Sequence, residues 1–158
     1  MSLDRVKTYL RKYKMEKRIM LFDVSSATVK EAAIALSCTE REIAKTLSFI
    51  VDDKPILIVV AGDAKIDNSK YKKEFKNKAK MIPYDLVETL IGHAVGGVCP
   101  FGVNEDVKIY LDESLKQLEV VYPAAGTDNS AVKLKVTELE SIVKNEKWID
   151  VCKELNNE

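Results

Sequence analysis

Histidine occurs once in this sequence, as His93, and that scarcity removes whole classes of chemistry. A Ser-His-Asp triad would have to use this one residue as its base, and no G-x-S-x-G elbow accompanies it. Zinc chemistry lacks both an H-E-x-x-H helix and a cluster of Cys and His, so no metal and no cofactor are expected. Cysteine is equally sparse. Cys38, Cys99 and Cys152 are odd in number and far apart, which argues against a disulfide framework and for a reduced, cytoplasmic setting. The longest apolar run, Pro55 to Ala61, is far short of the roughly 20 residues a bilayer crossing needs. No membrane association is therefore expected. Met1 to Arg18 is charged throughout, without the apolar centre of a cleavable signal. No stretch reads as a linker, a repeat or a low-complexity tract, so residues 1–158 are expected to form one domain.

Apolar residues make up 46% of the chain and charged residues 32%, the composition of a globular protein. Its 25 basic and 25 acidic side chains cancel, but unevenly along the chain. Residues 1–20 carry seven basic groups against two acidic, and residues 65–80 again seven against two. From Asn104 onward the balance reverses, with seven basic against twelve acidic. Two basic patches on a neutral protein could attract a polyanion, although charge runs are most often solvated helix faces.

Hydrophobic spacing predicts interleaved helices and strands. Val6, Leu10, Met15, Ile19 and Met20 suggest an amphipathic N-terminal helix, followed by a short strand over Leu21, Phe22 and Val24. Thr28 with Glu31, and Thr39 with Glu42, have the form of capping boxes. The second box would open a short helix carrying Ile43 and Ala44, placing Lys45 where that helix gives way to the extended run Thr46–Val51. Asp52-Asp53-Lys54-Pro55 reads as a hairpin turn into a strand from Ile56 to Ala61, whose lack of alternation predicts burial on both faces. Further on, the pattern predicts a helix over Ser69–Asn77, a short strand at Met81-Ile82, and a helix capped by Asp85 that stops at Gly92. Strands follow at Val107–Leu111, Leu118–Tyr122 and Ala131–Lys135, the last two around a turn at Gly126-Thr127-Asp128-Asn129. Asp112 is read as capping a single turn, Thr137 with Glu140 as starting another helix, and the C-terminus as helical to about Leu155. Without strict βα alternation, this order predicts an α/β (α+β) fold: a mixed, partly antiparallel sheet of about six strands covered by helices.

The segment Gly92-His93-Ala94-Val95-Gly96-Gly97-Val98-Cys99-Pro100-Phe101-Gly102 packs four glycines and a proline into eleven residues. Such a loop can bring successive main-chain N–H groups onto one oxygen, the arrangement that polarises an ester carbonyl. It can equally be a tight structural connection, and it holds neither G-x-G-x-x-G nor G-x-x-x-x-G-K-[ST].

Four segments together resemble the YbaK/ProX-type aminoacyl-tRNA deacylases, which include the editing domain inserted in bacterial prolyl-tRNA synthetases. These are Thr28-Val29-Lys30-Glu31-Ala32-Ala33, Ile43-Ala44-Lys45-Thr46-Leu47, Gly96 through Gly102, and Ala124-Ala125-Gly126-Thr127-Asp128-Asn129-Ser130, so the resemblance covers about residues 20–143. It implies hydrolysis of the ester joining a wrong amino acid to the 3′ end of a tRNA, with Lys45 as the signature catalytic residue. The substrate would be bound by Thr46, by the loop residues Gly96, Gly97, Val98, Cys99, Pro100, Phe101 and Gly102, and by Gly126; Phe22, Thr46 and Phe101 would help to wall the pocket. A compact ammonium suits the task of holding the acyl end or stabilising an oxyanion, though a lysine at a helix end also suits the helix dipole.

The resemblance further implies substrate assistance, with water, the terminal ribose hydroxyl or the substrate's own side chain attacking. Cys99 would then be a small loop residue rather than a nucleophile, and His93 would serve loop packing. Thr46 after the lysine resembles the cysteinyl-tRNA(Pro) branch, which points to cysteine or another small amino acid on tRNA(Pro). The implied partners are the tRNA 3′ aminoacyl end and, as a second candidate, prolyl-tRNA synthetase, with no role for DNA. The alternative is a non-catalytic module of the same fold that binds tRNA or a synthetase.

Overall fold

The computed structural model describes residues 2–154. In chain order the elements are α1 (Ser2–Arg11), β1 (Ile19–Leu21), α2 (Val29–Leu36), β2 (Ile43–Val51), β3 (Lys54–Ala61), α3 (Asn68–Phe75), α4 (Val87–Ile91), β4 (Lys108–Asp112), β5 (Val120–Pro123), β6 (Ser130–Val132), β7 (Leu134–Lys135), α5 (Val136–Ile142) and β8 (Asn145–Ile149). A six-stranded sheet runs β7-β5-β2-β3-β4-β8, and β1 and β6 form a separate two-stranded ribbon. The larger sheet is mixed: β7–β5 and β2–β3 are antiparallel, whereas β5–β2, β3–β4 and β4–β8 are parallel.

The sheet is built around β3. Asp52 and Asp53 both take positive φ, 51° and 64°, which is how a two-residue turn matches the twist of the strands it joins. Along β3 the side chains alternate between two cores. Leu57 and Val59 enter a cluster with Val6, Leu10, Ile91, Leu111 and Leu139, while Ile56, Ile58 and Val60 enter another with Phe49, Tyr71 and Val151. All five β3 side chains are at most 3% exposed, so burial on both faces overrides period-two patterning. Truncating one such residue, Leu57 for example, would cost about 2–5 kcal/mol.

Several boundaries differ from the sequence expectation, each because tertiary pairing outweighs local pattern. The first helix stops at Arg11, and Ile19 and Met20 leave it to pair with Val132 and Ala131. The box of Thr39 and Glu42 caps only a three-residue 3₁₀ turn, Glu40–Glu42. Ile43 and Ala44 are already in β2, drawn there by pairing with Tyr122 and Pro123, so Lys45 is the third residue of a strand. Asp85 does not cap α4, which continues instead from a 3₁₀ turn at Tyr84–Leu86. At α5 it is the Glu138 carboxylate that accepts from the Lys135 N–H, not Thr137. Residues 131–135 divide into β6 and β7, and Met81 makes only one bridge, to Phe49. The expected C-terminal helix ends at Ile142, because residues 145–149 add a strand beside β4; Leu155 lies outside the described residues.

Other signals translate directly. The Thr28 side chain accepts from the Glu31 N–H and the Glu31 carboxylate accepts from the Thr28 N–H, completing the cap of α2. Gly92 ends α4, and Asp112 accepts from the Ser114 N–H to start the predicted turn.

Candidate active site

The sheet is incomplete along one side of β2. β5 pairs with β2 only at Ile43 and Ala44. Further along the same edge, the Ile50 N–H donates to the Lys80 carbonyl and the Ile82 N–H to the Ser48 carbonyl. Main-chain groups alternate sides along a strand, so Thr46 turns its N–H and C=O to this edge as well. Among the described residues no strand pairs with it there. The Thr46 hydroxyl is also buried without a hydrogen-bond partner. A buried polar group left unpaired is costly, and here the Thr46 hydroxyl is one, on the residue whose main chain faces the open strand edge.

That gap opens into a cavity of about 380 Å³. Its walls come from the start of α2 (Ser26–Val29 and Ala32), from Ile43–Ser48 of β2, and from Met81, Ile82, Tyr84 and Val87. Val95, Gly96 and Val98 of the glycine loop, with Tyr122, Ala124, Ser130 and Ala131, complete them. The walls are largely apolar, and Lys45 is the only charged residue among them. The volume suits a small ligand.

Lys45 donates from Nζ to the Ala64 carbonyl at 2.7 Å, in the turn that follows β3. Burial lowers its pKa from the ordinary lysine value. Cys152 and Asp63 oppose that shift, and Lys65 adds to it. Burial also pushes the Cys152 thiol up to about 12, so near neutral pH Asp63 is the effective counter-charge. Asp63 is itself held by Arg41 Nε at 2.9 Å. An ammonium has three donors, and one is spent on Ala64.

The glycine loop divides between two surroundings. Gly96 and Val98 line the cavity, and among the described residues their N–H groups donate to no other group. Gly97 faces the late segment instead: its carbonyl accepts from the Gly126 N–H at 3.1 Å. A Cβ on Gly97 would fall on the Gly126 carbonyl carbon and the Thr127 nitrogen, so only glycine allows these two backbones to meet. Two segments far apart in sequence are thus joined, and Ala124 and Ser130 reach the cavity beside them.

Cys99, Pro100, Phe101 and Gly102 lie elsewhere. Cys99 and Phe101 are fully buried, and the Phe101 ring packs on Tyr9 of α1 with centroids 6.0 Å apart. Gly102 sits against the Arg5 backbone, where a Cβ would come within 2.8 Å of the Arg5 carbonyl oxygen. Pro100 and Gly102 line a different groove, beneath α1. Gly126 packs against Ser2. Of the residues picked from sequence, the cavity therefore gathers Lys45, Thr46, Gly96 and Val98. Phe22 and Phe101 do not line it.

His93 and Cys99 form a buried pair with a structural role. His93 Nε2 lies 2.6 Å from the Phe101 carbonyl, an acceptor, so this nitrogen carries the proton and donates. Its pKa is lowered by burial, keeping the ring neutral. The Cys99 thiol is 3.6 Å from the same nitrogen and is pushed up to about 12 by burial. A protonated thiol beside a ring nitrogen that is already donating is no activated nucleophile.

Sequence reading missed Ser26, Ala32, Met81, Tyr84 and Tyr122 as lining residues. The capping box marked the start of α2, but nothing local says that it faces a gap in a sheet. Tyr122 enters through the parallel pairing of β5, a contact 79 residues distant in sequence from Ile43.

Comparison with known proteins gives the site its context. The family profile described as the aminoacyl-tRNA editing domain matches residues 24–142. An uncharacterized protein of Bacillus subtilis (strain 168), YwhH, is 46% identical over 155 residues, covering 98% of this chain and 99% of its own. A proline–tRNA ligase of Levilactobacillus brevis is 31% identical over 105 residues, 64% of this chain; the match spans 18% of the ligase. The crystal structure of a proposed trans-editing enzyme for prolyl-tRNA synthetase superposes with a TM-score of 0.86 at 27% identity, covering 97% of this chain and 98% of that one. The profile takes in α2, the open edge of β2, the glycine loop and the Ala124–Ser130 segment, every wall of the cavity, and the chain belongs to the aminoacyl-tRNA editing domain family.

Proposed function

We propose that this protein is a trans-editing hydrolase that removes a small amino acid, cysteine foremost, from mischarged tRNA(Pro). One observation carries the reading: a mostly apolar cavity opens on an unpaired strand edge, and its lining brings together one charged residue, Lys45, and two loop residues, Gly96 and Val98, whose amides are free among the described residues. The aminoacyl group enters between Ala32, Ile43 and Tyr122, and the ester carbonyl meets the donors of Thr46, Gly96 and Val98. Lys45, with two donors beyond the one on Ala64, holds the acyl end or the oxyanion formed on attack.

The attacking group comes from water or from the substrate. Of the lining hydroxyls, Ser26 donates to the Asp128 carbonyl and Ser130 to the Thr127 carbonyl, while Thr28 is tied to the Glu31 carboxylate as the cap of α2, and no imidazole is among the lining residues. Hydrolysis adds water across the ester, returning the free amino acid and a tRNA with its terminal hydroxyl restored. Positioning and fixed dipoles are the protein's share of this work. Thr46, and the small volume of the cavity, support a short side chain on the substrate. One methylene is worth only about 1–3 kcal/mol of discrimination, so alanine is the competitor to measure.

The test is deacylation of cysteinyl- and alanyl-tRNA(Pro) by the wild type and by Lys45→Ala. A rate lowered about 100-fold or more in Lys45→Ala, with the fold intact, supports the reading. Equal rates remove Lys45 from the mechanism, and tight tRNA binding without turnover of any mischarged tRNA favours a binding module instead.

A further inference from the structure

We propose that Tyr84, at the mouth of the cavity, is a stacking platform for the terminal base of a single-stranded RNA end, and that Lys76, Lys78 and Lys80 lead the phosphates to it. The inference rests on the editing reading above and adds the residues that would seat the nucleic acid.

Tyr84 is 79% exposed, the most exposed large apolar side chain among the described residues, yet it lines the cavity. Among the described residues no other aromatic ring lies against it. Its backbone is nonetheless well held. The ring stands on a 3₁₀ turn between Pro83 and α4, closed by the Leu86 N–H on the Pro83 carbonyl and flanked by buried Ile82 and Val87. Met81, 58% exposed, and Val95, 39% exposed, extend the shelf at the same mouth. A firmly mounted ring facing solvent beside a pocket is suited to a flat π-face, and every nucleobase supplies one.

Charge selects the partner. Between Glu74 and Asp85 the chain carries three lysines and no carboxylate. Lys76, Lys78 and Lys80 are all exposed, and among the described residues none is in an ion pair. In the N-terminal patch Lys7, Lys12, Lys14 and Lys17 are also in no ion pair among the described residues, but none of them lines the cavity, and the arginines there are committed. Arg11 is committed to Glu16, Arg18 to Glu138, and Arg5 to Gly92 and Asn104. The Lys80 carbonyl accepts from the Ile50 N–H and Met81 bridges Phe49, so the last residue of the lysine strip is pinned on β2 next to the cavity mouth. Unneutralised lysines leading to an exposed ring match a phosphate strand ending in a base.

The experiment uses an uncharged RNA minihelix with a single-stranded CCA end, its affinity read by fluorescence anisotropy, so that hydrolysis does not enter. Tyr84→Ala is expected to weaken binding about tenfold, whereas Tyr84→Phe and Tyr84→Trp stay within about twofold, because the ring rather than the hydroxyl acts. With an abasic terminal residue, the wild type should fall to the level of Tyr84→Ala. Lys78→Ala with Lys80→Ala should flatten the salt dependence. Wild-type affinity in Tyr84→Ala overturns the platform, as do a further tenfold loss on going from wild type to Tyr84→Ala with abasic RNA and an absence of measurable wild-type binding. Failure to hydrolyse any mischarged tRNA, with these binding differences intact, would instead overturn the editing activity and leave the platform standing.

Discussion

The two halves of the glycine loop look alike as sequence and serve opposite ends. Gly96 and Val98 line a cavity and their amides donate to no other group among the described residues, whereas Cys99 to Phe101 are buried beneath α1 beside Tyr9 and His93, and Gly102 closes on the Arg5 backbone at the edge of a groove. Gly97 is the hinge between them, locked backbone to backbone on Gly126. A glycine can thus mark either a ligand's approach or another chain segment's approach. Only the neighbour across the space tells which. The sealed half holds the open half rigid, as preorganised donors require.

Three measurements test this contrast, and the cysteines should show the largest effect. Burial moves the Cys99 thiol from 9.0 to about 12. Alkylation near pH 8 should therefore be slower by about 1,000-fold in the folded than in the unfolded chain, while half-buried Cys38 is labelled first. Mass-resolved labelling with and without denaturant reads this directly. The same shift has a stability consequence of definite sign. Below pH 9 both states keep the proton and the stabilisation is complete; above it the unfolded chain releases the proton first, so stability declines from pH 9 towards 12. Fast labelling of Cys99 in the native protein would mean that this half is not sealed.

Next in size is the hinge. Gly97→Ala forces a side chain into the Gly126 backbone and should cost about 3 kcal/mol or more, read as a drop in thermal midpoint. A neutral outcome would separate the two segments. Smallest is Thr46→Val, which removes the orphaned hydroxyl from the cavity wall. It should leave stability unchanged or raise it by about 1 kcal/mol, and lower turnover, since a buried hydroxyl without a partner costs stability unless a ligand completes it. A clear loss of stability in chemical denaturation would show that this hydroxyl serves the fold.

Much of the architecture was legible. The Asp52-Asp53 turn, the doubly buried β3 and the Thr28–Glu31 cap are local features whose physics is complete within a few residues. The failures share one cause. Ile43, Ala44 and residues 145–149 became strands through partners dozens of residues away, and helical spacing carries no information about those partners. The site divides in the same way. Lys45, Thr46, Gly96 and Val98 were readable through the family resemblance, whereas Met81, Tyr84 and Tyr122 reach the cavity only once the sheet leaves a gap between β5 and residues 80–82.

The proposed editing activity requires the acyl group to sit at that gap, on the open half of the loop. The most direct test is amide chemical-shift mapping with a hydrolysis-resistant 3′-aminoacyl-adenosine analogue. The predicted result is that the amides of Thr46, Gly96 and Val98 shift together with Ala64, whose carbonyl holds Lys45, while those lining the groove beneath α1 stay still. Shifts confined to Gly102, Val103 and the α1 residues Arg5 and Tyr9, with Thr46 and Gly96 unmoved, would contradict it.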